Sequence, residues 1–179
     1  MHHGSYTENS ITAYATGLQY GNTFYAGPGE TVPLGLTCET PEGFIFLGYE
    51  VSAGAWTEEN GAWTLTMPDE DVFISAAFAP VFGEPDYTLP ADLTTIKEEA
   101  FEGATMSAVL VPANCTAIGD CAFRNFANLR QIRIPAGCAL GTDVFEQCDL
   151  VYVYGAADSP ANGYCDTHDN CVFVMDAQE

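Results

Sequence analysis

The sequence predicts a mainly β protein, in which a small β domain is followed by a short solenoid of stacked repeats that ends in a helix/strand cap. Three observations predict this. Phenylalanines return at a fixed interval in the second half, at Phe101, Phe123 and Phe145, each 22 residues from the last. Turn signals break the first half into short apolar runs, as strands require. The composition has 9 Tyr, 11 Phe and 2 Trp beside 17 Gly and 10 Pro. Flat side chains pack well on a pleated surface, and Gly and Pro make the turns between strands.

In chain order, residues 1–9 are expected to be disordered or tag-derived, and residues 10–80 to form the small β domain. Its strands are read from ITAYAT, TVPLGLTC, FIFLGYEV, WTLTMP and VFISAAF. Gly27-Pro28-Gly29, Pro41-Glu42-Gly43 and Asn60-Gly61 separate these runs. Asn60-Gly61 predicts a tight hairpin, because both residues tolerate positive φ. Residues 81–87 have the composition of a linker.

Residues 88–177 carry the repeat. Pro90, Pro112 and Pro135 align, as do Ile96, Ile118 and Leu140, and Leu93, Cys115 and Cys138 share one place. An L-x-x-I-x-I run closes each unit: Met106, Val109, Val111, then Leu129, Ile132, Ile134, then Leu150 and Val153, with Gly155 at the last place. A unit this short cannot bury both its strand and its phenylalanine alone, so successive units stack and share one core. Alternation then turns Val109, Val111, Ile132 and Ile134 inward. It leaves Ala108, Leu110, Gln131, Arg133, Tyr152 and Tyr154 facing out, with the three phenylalanines lining the opposite wall. After them, Ser159 is placed to cap a helix that begins at Pro160 and runs to about Asp169, covering the open end of the coil.

The order Leu-Pro, Thr-x-Ile, Ala-Phe, L-x-x-I-x-I-Pro, together with "AIGDCAF", resembles the BspA-like leucine-rich repeats of bacterial surface proteins. The likeness covers residues 87 to about 174, including a closing stretch similar to that family's terminal segment. It implies a short right-handed leucine-rich-repeat solenoid, adhesion in place of catalysis, and an extracellular or cell-surface location. The stretch FIFLGYEVSAGAW…GAWTLTMPDEDVFISAAF resembles divergent internalin-type B repeats, with Gly48-Tyr49 standing where that family has Gly-Trp. This second resemblance implies a β-grasp or sandwich-like domain that acts as a spacer.

A formal charge of −21, from 25 acidic residues against Lys97, Arg124, Arg130 and Arg133, disfavours nucleic acid and anionic lipid as partners. No apolar run of about 18 residues exists to span a membrane, so no membrane insertion is expected. The first thirty residues lack the form of a signal peptide, so an export signal and an anchor are expected outside this sequence. Seven cysteines leave at least one thiol unpaired. Cys115 and Cys138 stack one repeat apart and read either as a bridge or as buried free thiols. No cofactor is called for.

The candidate ligand-binding residues are Arg130, Gln131, Arg133, Tyr152 and Tyr154, because Tyr and Arg combine contact area with directional hydrogen bonds. A host or bacterial surface protein or glycan is the expected partner, and a ligandless stalk is the alternative. Cys165, His168 and Cys171 have the only metal-like spacing, but zinc would need a fourth ligand from Cys148 or an aspartate. A Cys165–Cys171 disulfide reads at least as well. Enzyme chemistry on Cys165 and His168 is disfavoured by the acidic surroundings, which do not stabilise a thiolate. Glu98, Glu99 and Glu102 read as a solvated face.

Overall fold

The computed structural model describes residues 9–15, 23–34, 36, 40–60 and 62–176, with side chains from residue 27 onward. The chain divides into two compact units, the first ending at Pro80 and the second beginning at Val81. Residues 1–8, Cys38 and Gly61 lie outside the described residues, and with them most of the expected N-terminal tail.

Among its described residues the first unit holds seven strands: β1 (Asn9–Ala15), β2 (Thr23–Ala26), β3 (Thr31–Leu34), β4 (Phe44–Val51), β5 (Ala55–Glu59), β6 (Ala62–Thr66) and β7 (Val72–Pro80). They form a four-stranded sheet of order β2-β1-β7-β4 and a three-stranded sheet of order β3-β6-β5. Both sheets feed one core: Leu34 and Leu65 come from the second, Val72 and Ile74 from the first, and Met67 from the connection. Trp56 and Trp63 stack at 4.5 Å between ring centroids, and Tyr49 meets Trp63 edge-on at 5.9 Å. The first sheet is mixed, with β1 parallel to β7 and antiparallel to β2, and no helix occurs among the described residues of this unit. Glu59 pairs with Ala62 across a two-residue turn in which Asn60 has φ 53°, as the Asn-Gly signal predicts.

In the second unit the repeat resolves into β8 (Tyr87–Thr88), β9 (Thr95–Ile96), β10 (Ala108–Leu110), β11 (Ala117–Ile118), β12 (Gln131–Arg133), β13 (Ala139–Leu140), β14 (Val151–Gly155), the helix α1 (Pro160–Cys165) and β15 (Cys171–Met175). Five strands form a parallel sheet of order β15-β14-β12-β10-β8, and three form a second parallel sheet of order β13-β11-β9. The register aligns Val109, Ile132 and Val153, which are wholly buried. Phe101, Phe123 and Phe145 stack in one column, with centroids 5.2 and 5.9 Å apart. Tyr164 of α1 meets Phe145 edge-on at 5.7 Å, and His168 lies flat against Tyr164 at 3.8 Å, so the cap prolongs the column.

The phenylalanine wall carries a hydrogen-bond ladder of its own. Glu99, Phe101 and Gly103 donate their N–H groups to the carbonyls of Asp120, Ala122 and Arg124, and Cys121, Phe123 and Asn125 donate to Thr142, Val144 and Glu146. Stacking therefore satisfies backbone groups that a single turn would leave orphaned. To aim those groups, each turn enters the left-handed region twice: at Glu99, Cys121 and Asp143 (φ 52° to 55°), and at Gly103, Asn125 and Gln147 (φ 55° to 67°). Only one of these six is glycine, so the ladder holds L-residues in a conformation they seldom adopt.

Lys97, Gly119 and Gly141 share another repeat place. A Cβ on Gly119 would lie 2.5 Å from Glu98 N, and one on Gly141 would lie 2.7 Å from Asp120 N, both on the preceding turn. Lys97 stands in the first turn, where β9 is the edge of its sheet, so a side chain fits there.

The acidic residues do more than solvate a face. Arg124 Nη2 lies 2.8 Å from both Glu99 Oε1 and Glu102 Oε1, and its Nη1 lies 4.0 Å from Glu146 Oε2. One cation of the middle turn thus ties carboxylates from the turns on either side of it. Asp86 works similarly on the strand side, accepting hydrogen bonds from Ser107 N (2.7 Å), Ser107 Oγ (2.9 Å) and Ala108 N (2.9 Å). Burial pushes the Asp86 carboxyl up, but these three donors together outweigh it and hold the pKa below the ordinary 3.8. The stabilisation is therefore complete above 3.8 and is lost as pH falls through the lower folded value. Asp86→Ala is expected to lower Tm by a constant amount from about pH 5 to 7, and by progressively less below about pH 3.8. Melts across that range check it, and a gap that widens in acid contradicts it.

The terminal helix is shorter than the sequence suggests, ending at Cys165 instead of near Asp169. Ser159 caps it as expected, accepting from Asn162 N. At the other end the Tyr164 carbonyl receives Thr167 N (3.1 Å) and Thr167 Oγ1 (3.0 Å), and His168 Nδ1 lies 2.8 Å away. Those local bonds replace the next helical one, which stops the helix.

Candidate functional site

The five candidate binding residues all lie on or beside the parallel sheet of the second unit. In register, Gln131 faces Tyr152 and Arg133 faces Tyr154, on the side opposite the wholly buried Ile132 and Val153. The two rows expected from strand alternation are therefore present. Their exposure differs from expectation, however, because Tyr154 is only 1% exposed and Ala108 only 7%. Tyr152, Gln131 and Arg133 are half-buried, and Arg130 is exposed.

Part of this covering comes from residues 81–83. The Phe82 ring meets Tyr154 edge-on at 5.1 Å and lies 4.5 Å from the Arg133 guanidinium carbon. Gln131 grips the backbone on both sides of Phe82: its Nε2 donates to Val81 O at 3.1 Å, and its Oε1 accepts from Gly83 N at 3.0 Å. The same Nε2 donates to the Tyr154 hydroxyl at 3.2 Å. Burial pushes the Tyr154 phenol up to about 12, so it stays protonated throughout the physiological range. Sequence spacing gave no signal of these contacts, which join residues about 50 positions apart.

Each basic residue of the middle turn has an acidic partner. Arg133 pairs with Asp176 at 2.9 Å, Arg130 with Asp149 at 3.0 Å, and Arg124 with the glutamates described above. The face consequently offers planar, hydrogen-bonding and aromatic groups with its positive charge already compensated, a surface better matched to neutral polar ligands than to polyanions.

The second candidate, Cys165, His168 and Cys171, does not assemble into a metal centre. Among the described residues no three of His, Cys, Asp and Glu converge in that way. His168 Nδ1 lies within hydrogen-bond reach of Tyr164 O and of Thr167 Oγ1, and Nε2 points toward Asp143 at 3.8 Å. A hydrogen bond to Cys171 first, and then burial, push the Cys165 thiol up. The same hydrogen bond pulls the Cys171 thiol down. The six described cysteines are free thiols, including Cys165 and Cys171, for which a disulfide was an alternative.

Cys115 and Cys138 are the buried pair expected from their shared repeat place, with sulfurs 4.0 Å apart. Burial first, and then the neighbouring thiol, push Cys138 up to about 12. At pH 8 a disulfide reagent should leave Cys115 and Cys138 unmodified in the folded chain and modify both in denaturant. Peptide mapping by mass spectrometry checks this, and rapid native labelling of either would contradict it.

Residues 65–159 match the family model described as BspA type leucine rich repeat region, in six copies. No curated protein and no solved structure matches the chain. The matched residues begin at the end of β6, take in β7 and the full phenylalanine column, and stop at the Ser159 cap.

Proposed function

The chain belongs to the BspA-type leucine-rich-repeat family, and from that premise we propose that it is a non-enzymatic bacterial surface module, extracellular or cell-surface attached, that binds a macromolecule through its parallel sheet. The partner is a host or bacterial surface protein or glycan. One observation carries the reading: the outward rows of the sheet bring Gln131, Arg133, Tyr152 and Tyr154 together, residue types that dominate binding energetics, on strands held rigid by a continuous core. No helix among the described residues is long and apolar enough to cross a membrane. In this reading the first unit is a spacer of the B-repeat type that its sequence resembles.

A second reading, a stalk that projects another domain and binds nothing itself, is favoured by the internal pairing of Arg124, Arg130 and Arg133 and by the burial of Tyr154. Binding of the purified chain to arrayed glycans and immobilised matrix proteins separates the two, with Arg133→Glu/Tyr152→Ala as control. Tyr152 serves here because it is half-buried, whereas cutting back the enclosed Tyr154 would disturb packing. A hit lost in the control supports recognition. Silence across both screens supports the stalk.

A further inference from the structure

We propose that the seat of Phe82 is a peptide-recognition site, selective for an extended segment carrying an aromatic residue, and that residues 81–83 occupy it in cis until such a peptide from another protein displaces them. The inference rests on the binding reading of the same sheet face and names its ligand class and its regulation.

The contacts of residues 81–83 have the form of recognition. The Gln131 amide is donor to one backbone group and acceptor from another on either side of a single residue, which reads the chain as extended whatever its side chains. Between those two bonds the occupant's ring enters a slot with the Tyr154 ring on one side and the Arg133 guanidinium on the other. Aromatic edges and cations both favour a π-face, so the slot selects an aromatic side chain over an aliphatic one. Asp176 fixes the guanidinium from behind, and the Gln131 bond to the Tyr154 hydroxyl holds the other wall.

A further observation indicates that the present occupant is replaceable. Arg133 Nε is buried and has no acceptor. A buried donor without a partner weakens the closed state. A foreign peptide with an oxygen near this point would satisfy it, and so compete with a segment that enjoys the advantage of being tethered. Val81, half exposed at 50%, shows that the segment is held at Phe82 and by its backbone and not by burial along its length.

The test uses the full chain and a fluorescein-labelled peptide of its own residues 80–85, Pro-Val-Phe-Gly-Glu-Pro, read by fluorescence anisotropy at about 0.15 M salt so that the acidic surface is screened. In a Phe82→Ala/Gly83→Pro variant the ring and the Gly83 donor are both gone, and the seat is open. That variant is expected to bind the peptide at least about tenfold more tightly than the unaltered chain, because the tethered competitor no longer reduces the apparent affinity. The same peptide with Ala in place of Phe should bind neither protein, and Gln131→Ala in the open variant should abolish binding while the thermal transition is retained. Should Gln131→Ala fail to fold, the Ala peptide still decides the matter. Equal affinity for the open variant and the unaltered chain, or equal binding of the Phe and Ala peptides, overturns the inference even if a matrix protein or glycan is captured elsewhere. Peptide binding with no capture of any surface macromolecule leaves the seat standing and removes the adhesive reading instead.

Discussion

Phe123→Ala is expected to lower the unfolding free energy of the second unit by about 3 to 5 kcal/mol, the range for truncating a fully buried aromatic. The ring is wholly enclosed, stacked on Phe101 and Phe145 and also 6.1 Å from Phe126. Its neighbours cannot collapse into the space, since Phe101 and Phe145 are fixed by the backbone ladder of the same wall. The middle position should therefore suffer more than Phe101, which keeps some exposure at the first turn. Denaturant titrations of the two variants measure the difference. A loss below about 1 kcal/mol for Phe123→Ala would mean that the ring column does not bear on stability.

Gly141→Ala is expected to be about as damaging, at roughly 3 kcal/mol or more, because the added methyl meets the Asp120 carboxylate and, behind it, backbone of the preceding turn that cannot swing aside. Its Cβ would lie 2.7 Å from Asp120 N and 2.8 Å from Gly119 C, inside any real contact distance. The turns would have to separate, stretching the bond from Gly141 N to Ile118 O (2.8 Å) and that from Thr142 N to Asp120 Oδ1 (2.7 Å). Gly137→Ala is the matched control, for a Cβ there meets nothing within 4 Å. Chemical denaturation of both variants is the measurement, and equal stabilities would refute the close approach of the turns.

The coil itself was legible because its period is enforced by burial. A residue that must fill the same wall in every turn, as Phe101, Phe123 and Phe145 do, leaves its spacing in the chain. The start of the helix was legible for a different reason, since Ser159 before Pro160 satisfies local donors that depend on nothing distant. Where a contact joins remote residues, no such trace exists. Gln131 is a common strand residue until the backbone of Val81 and Gly83 is found against it, and only then does the candidate face become a filled one. The left-handed places were hidden by residue choice: Glu99, Cys121 and Asp143 carry no glycine to announce them, because the ladder between turns imposes the conformation. The acidic cluster near Phe101 looked idle for the same cause, as its partner Arg124 stands one turn away.

Lys97 bears on how this molecule behaves among its own kind. Parallel turns that join through main-chain bonds offer, at a sheet edge such as β9, a template on which a stranger's last turn could be added, and from there a filament could grow. Where Gly119 and Gly141 let neighbours come close, the lysine at the equivalent station keeps a newcomer out of bonding range and presents it with a charge to strip of water. One side chain thus discourages growth at the β9 edge, while α1 covers the ring column at the opposite end of the coil.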